Sequence, residues 1–242
     1  MEEKSSWQQN LQDLLVQNGR LGYALDGIVD KSEWEKVPIK ILFLLKEPPG
    51  DKNKSFDLTK FLRNGAKRSV DQTWRNVAMW VYSALHYSEK LSFRYQVKPI
   101  SMKPERRSEW LSKIAAVNVK KQPGKSQTDT KALKEEFKRF YAPFVAMQLK
   151  EIREYDVVVC CGKGVFSCLR TIFDEVFDES YDKSFLKIFC QLGNLKEPIK
   201  YYKKDNLPLI IDYCHPGAHI NGKEMAMAFQ SLIKTNLRIS QI

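Results

Sequence analysis

Three short segments carry the side chains whose types and spacing suit chemistry. The first is Lys46-Glu47-Pro48-Pro49-Gly50, which interrupts an apolar run. Two prolines remove two backbone donors and fix an extended turn, and the glycine permits unusual dihedrals. A carboxylate held there, that of Glu47, can orient an attacking water or stabilise developing positive charge. Its plainer role is to pair with a neighbouring lysine at the rim. The second is Asn118, at the end of the apolar stretch Ile114–Val119. A buried amide both donates and accepts, so it can read the edge of a nucleobase or tie down its own loop. The third is His215-Pro216-Gly217-Ala218-His219, directly after an apolar run. There an imidazole can donate to a carbonyl oxygen that gains charge as a bond breaks, or serve as a satisfied structural residue.

Each segment follows a run with the look of a buried strand. Ile39–Leu45, Ile114–Val119, Asp156–Cys161 and Leu207–Cys214 are short and apolar, and helical patterns separate them. Helices are expected near Trp7–Leu15, over Thr73–Leu85, from about Asp129 to Arg153, from Gly164 to about Val176, and from about Lys223 to Leu237. Four apolar strands alternating with helices imply an α/β fold. The expected form is a three-layer α/β/α sandwich around a four-stranded, mainly parallel sheet. The economical organisation is a single domain over 1–242, with 1–38 as a helical cap and 180–205 as a hairpin insertion turning at Gly193-Asn194. In such sheets ligands bind beyond the carboxyl ends of the strands, where the three segments fall.

The chain has 242 residues, 40 Lys+Arg and 29 Asp+Glu, a surplus of +11. Between Arg94 and Lys125 nine basic residues face two acids, so this stretch holds seven of the eleven surplus charges. Such a concentration attracts a polyphosphate such as DNA; otherwise it is a solvated face. The five cysteines form no Cys-x-x-Cys pair, which argues for buried thiols and against a metal site. No apolar run reaches the length of a membrane span, and the acidic, polar start is unlike a secretion signal, so a cytoplasmic or nucleoid-associated monomer is expected.

With these segments in order, the chain resembles the uracil-DNA glycosylase superfamily over roughly Ile39 to Leu237. The likeness is to the branch whose first motif reads Gly-Glu-Ala-Pro-Gly, here Lys46 to Gly50. Asn118-Val119-Lys120-Lys121-Gln122-Pro123 is similar to its second-strand motif, and Pro143-Phe144 to an element of its long helix. Cys161-Gly162-Lys163 looks like its third-strand turn, and Tyr213-Cys214-His215-Pro216 like its closing Tyr-His-Pro with one residue inserted. The resemblance implies an enzyme that flips a nucleotide out of DNA and hydrolyses its glycosidic bond, leaving an abasic site. By that analogy Glu47 and His215 are catalytic. Asn118, Phe56 (with Phe61 second) and Pro48 bind the base. Lys120, Lys121, Lys125, Gly217 and His219 meet DNA, His219 at the wedge position.

Departures from the pattern shape the expectation. Pro48 stands where several branches place a water-activating Asp or Asn. The branch's iron–sulphur cysteines are missing, with Lys121 and Gln122 in that region, so no cofactor and no metal are expected. The excised base is then uracil or a larger modified base, including one carried by viral DNA. Lys46 is the one obvious amine for lyase chemistry. A catalytically silent DNA- or protein-binding member of the same fold is the main alternative, and a hydrolase of free nucleosides the third.

Overall fold

The computed structural model describes residues 6–17, 22–48, 51, 53–67, 72–123, 129–193, 195, 197–218 and 221–237. Its strands are β1 (Ala24–Leu25), β2 (Gly27–Ile28), β3 (Ile41–Leu45), β4 (Phe56–Asp57), β5 (Ala115–Asn118), β6 (Val157–Cys161), β7 (Leu186–Cys190), β8 (Ile199–Tyr202) and β9 (Leu209–Tyr213). Its α-helices are α1 (Ser6–Gln17), α2 (Lys31–Lys36), α3 (Leu58–Arg63), α4 (Gln72–Leu85), α5 (Pro104–Leu111), α6 (Thr130–Glu136), α7 (Ala142–Ile152), α8 (Val165–Thr171), α9 (Phe173–Phe177) and α10 (Gly222–Asn236).

The core is a mainly parallel sheet with helices on both faces, and its strand order is β2-β5-β3-β6-β9-β8-β7. The four expected strands β5, β3, β6 and β9 lie side by side and parallel, Leu45 opposite Asn118 and Cys161 opposite Tyr213. Every residue of β3, β5 and β6 is buried, which is why these segments read as unbroken apolar runs and not as alternations. The strand period of two still sorts them between two cores. Ile41, Phe43, Leu45, Val159 and Ile211 face α4 and α10, whereas Leu42, Leu44, Val158, Cys160 and Ile210 face α1, α7 and α8.

The expectation of four strands is too small. Among the described residues the sheet has seven, because antiparallel strands extend both edges. β2 pairs with β5, so part of the 1–38 segment enters the sheet. The 180–205 segment carries β7 and β8, which pair with each other and continue the sheet beyond β9. The helical stretch between Thr130 and Ile152 holds a π-helical turn at Phe137–Tyr141, just before Pro143. No helix among the described residues is long and apolar enough to cross a membrane.

Candidate functional site at the strand ends

The topology itself marks a crevice. After β3 the chain moves to β5 on one side, and after β6 it moves to β9 on the other. Loops leaving two adjacent parallel strands in opposite directions open a gap at their carboxyl ends. Those ends are Lys46-Glu47 after β3 and Gly162-Lys163 after β6. The ladder continues past the formal strands, since Lys120 N–H donates to the Lys46 carbonyl at 2.9 Å and Gly162 N–H to the Tyr213 carbonyl at 2.8 Å. Loop residues here are therefore held as firmly as strand residues.

Gly162 stands directly after β6, where these ends meet. Its φ of +94° lies in the left-handed region that favours glycine. A Cβ added there would lie 3.2 Å from His215 Cβ and 3.3 Å from Lys46 Cε. His215 and Lys46 thus converge on the space that the missing side chain leaves. The His215 Nδ1 accepts the Gly217 N–H at 3.0 Å, which sets the neutral ring in the tautomer whose Nε2 carries the proton. Although the side chain reaches the surface, desolvation lowers the imidazole pKa below 6.5, and the Lys46 cation lowers it further. The ring is then a neutral donor at pH 7. Burial likewise pushes the Lys46 ammonium down, with Glu47 opposing and Lys163 assisting.

The loop that carries His215 is fixed from three directions. Tyr213, buried at the end of β9, meets Trp80 edge-on at 4.8 Å, and its hydroxyl donates to the Met225 carbonyl at 2.6 Å. Asn76 on α4 donates to the Pro216 carbonyl at 2.6 Å. Gly217 sits so close to the helix that an added Cβ would come within 3.0 Å of Thr73 Oγ1. Its N–H is engaged by His215 Nδ1.

Glu47 is nearly buried, and Lys120 reaches it at 3.4 Å while also pairing with Glu136 at 3.0 Å. The rim pairing is therefore present, and Lys120, expected on phosphate, is held between two carboxylates. Lys121 is a clear correction. It is fully buried, with Nζ 2.7 Å from Asp26 and 2.6 Å from Gln148 Oε1. A buried ammonium survives only when paired and hydrogen-bonded, so this lysine cannot meet a phosphate. Burial pushes its pKa down and Asp26 works against that.

Asn118 belongs to the same network. It is 2% exposed, and both its backbone N–H (2.8 Å) and its Nδ2 (3.0 Å) donate to Asp26 Oδ2. Gln148 Nε2 closes the ring by donating to the Asp26 carbonyl at 2.8 Å. The amide thus ties its strand end to β2's neighbour, the loop-fixing role. Pro48 is buried. Phe56 is half-buried and packs against Phe61 at 5.4 Å, on the core between the sheet and α4. Lys125 and His219 lie outside the described residues.

Asp26, Asn76, Gln148 and Glu136 are the residues that sequence reasoning did not single out. Asn76 alone left a signal, a polar residue beside the apolar stripe of α4. Among the described residues no group of three or more His, Cys, Asp or Glu side chains is arranged to hold a metal ion. No family model matches the chain, and no curated protein or solved structure matches it.

Proposed function

We propose that the protein is a DNA glycosylase of the uracil-DNA glycosylase type, cleaving an aberrant or modified base by hydrolysis and leaving an abasic site. The observation that carries this reading is His215, just past the end of β9 and beside Lys46 and Gly162, whose Nδ1 accepts the Gly217 N–H so that the neutral ring carries its proton on Nε2. A neutral imidazole suits a departing base, because the base takes the electron pair of the glycosidic bond and its oxygen becomes anionic. The neighbouring Lys46 cation favours that developing charge, and Glu47 beyond it suits the positively charged sugar. In this reading Asn118, held by Asp26, fixes the end of β5 beside Lys46 and Glu47.

A second reading has an observation of its own. Glu47 is engaged by Lys120 and the Asn118 amide by Asp26, which is how a catalytically silent binding module of this architecture would look.

The deciding experiment incubates the protein with duplexes carrying different bases, including heavily modified viral DNA, and seeks alkali-labile abasic sites. Excision by the wild type is expected to fall about two to three orders of magnitude in His215→Ala, the range for loss of one oxyanion donor. Saturable binding with no abasic product on any substrate would overturn the enzymatic reading in favour of the silent one.

A further inference from the structure

The basic stretch between Arg94 and Lys125 does not offer its full charge to a ligand. Arg107 is buried and donates to the carbonyls of Gly65, Ser101 and Ala66. Lys113 pairs with Glu33, Lys120 with Glu47 and Glu136, and Lys121 with Asp26. Cations with no such commitment gather elsewhere, in a groove between α6 with its π-helical extension and α8. One wall carries Lys131, Lys134 and Lys138, the other Ser167, Arg170 and Thr171, with Glu135 the one acid among the lining residues. Among the described residues none of the four cations forms an ion pair.

The arrangement is regular. Positions 131, 134 and 138 share one side of a helix. They span about 10 Å at 1.5 Å per residue. That is roughly three base-pair steps at about 3.4 Å of rise per step along a duplex axis. A row of this length matches a linear polyanion better than a single phosphate ion. Across the groove Arg170 is held over the Tyr181 ring at 4.4 Å, which restrains its guanidinium.

The groove also leads to the strand-end site. Glu136, on another side of α6, bonds Lys120 and through it Glu47. Thr130, at the start of α6, packs against Gly164, where an added Cβ would come 2.7 Å from its Cγ2. The groove therefore begins beside the turn that follows β6.

We propose that this groove seats the phosphodiester backbone of DNA flanking the nucleotide at the strand-end site. This rests on the glycosylase reading and adds to it the surface that holds the strand. The test uses the full chain and a fluorescein-labelled 20-nucleotide DNA, single-stranded and as duplex, read by anisotropy over a range of NaCl. Lys134→Glu/Lys138→Glu is expected to weaken binding about 10- to 30-fold at low salt. Its log–log salt slope should fall by about 1.4–1.8, the value for two lost phosphate contacts. Arg106→Glu, an exposed charge change on α5, should stay within about twofold of wild type. Lys131→Gln/Lys138→Gln, both exposed, gives the same direction should the charge reversal disturb folding.

An unchanged affinity and slope in both groove variants overturns the proposal, as does competition by polyglutamate equal to that by unlabelled DNA. Wild-type binding without excision, lost in the groove variants, overturns the glycosylase reading and leaves the groove standing. A wild type that binds no DNA overturns both.

Discussion

The side-chain amide of Asn76 donates to the carbonyl of Pro216 across 140 residues of sequence, at 2.6 Å and out of contact with water. This bond joins the middle of α4 to the turn that follows His215, so helix packing sets where the imidazole stands. Asn76→Ala leaves that carbonyl without its partner, at a cost of about 1–3 kcal/mol. Urea unfolding should register that loss, and the His215 ring resonances should broaden or move. A sharp, unmoved His215 spectrum would mean that the loop holds itself.

Lys121 and Asp26 form an ion pair with no exposure on either side chain. Removing one partner strands the other charge, so Lys121→Met should destabilise by about 3–5 kcal/mol. The double variant Asp26→Asn/Lys121→Met removes both charges and should recover most of that loss. Equal destabilisation in the single and double variants would show that packing, not charge, dominates there. The comparison is made by chemical denaturation at one pH.

Asp212 faces Cys160 on β6 and Lys200 on β8, and burial raises its carboxyl pKa to about 6, with Lys200 lowering and Glu197 raising it. The folded state therefore binds the proton more tightly than the unfolded chain, whose carboxyl titrates at 3.8. Stability from this group is full below about 4 and is lost as pH rises through about 6. Asp212→Asn should flatten that limb and stabilise the protein at pH 7 by about 2–3 kcal/mol. Melting temperatures from pH 4 to 8 test it; parallel curves for the two proteins would contradict it.

His215 and Lys46 flank Gly162, and desolvation followed by the Lys46 charge lowers the imidazole pKa. A depressed histidine stays neutral above its folded pKa and gains its proton only as pH falls through that value. Lys46→Met removes the cation but not the desolvation. The His215 pKa should rise toward 6.5 without reaching it, and any activity that needs the neutral ring should lose its acid limb at a higher pH. Titration of the His215 ring protons by NMR gives the number directly, and no movement would separate the two residues.

The core was legible because full burial demands apolar runs. β3, β6 and β9 stand within two residues of where those runs begin and end, and β5 lies inside its run. The added edges were harder to read. Gly27-Ile28 is too short to display any period, and β7 carries the mixed exposure of an edge strand. The site was legible only as positions at strand ends. Which lysine of Lys120-Lys121 points inward depends on Asp26, some ninety-five residues away, and no local pattern reports that. A lysine-rich stretch reads as surface, yet here Arg107 and Lys121 are among the most deeply enclosed polar groups.

β7 closes the hydrogen-bonded ladder on one side, and Ile188 on it stands 70% exposed. An open margin with a protruding aliphatic residue invites another extended chain to dock and templates fibrous growth. The register slips between Ile188 and Cys190, and Lys187 stands exposed beside them. An approaching strand would find its bonding partners out of step and a positive charge in its path, so the sheet stops growing where the hairpin does.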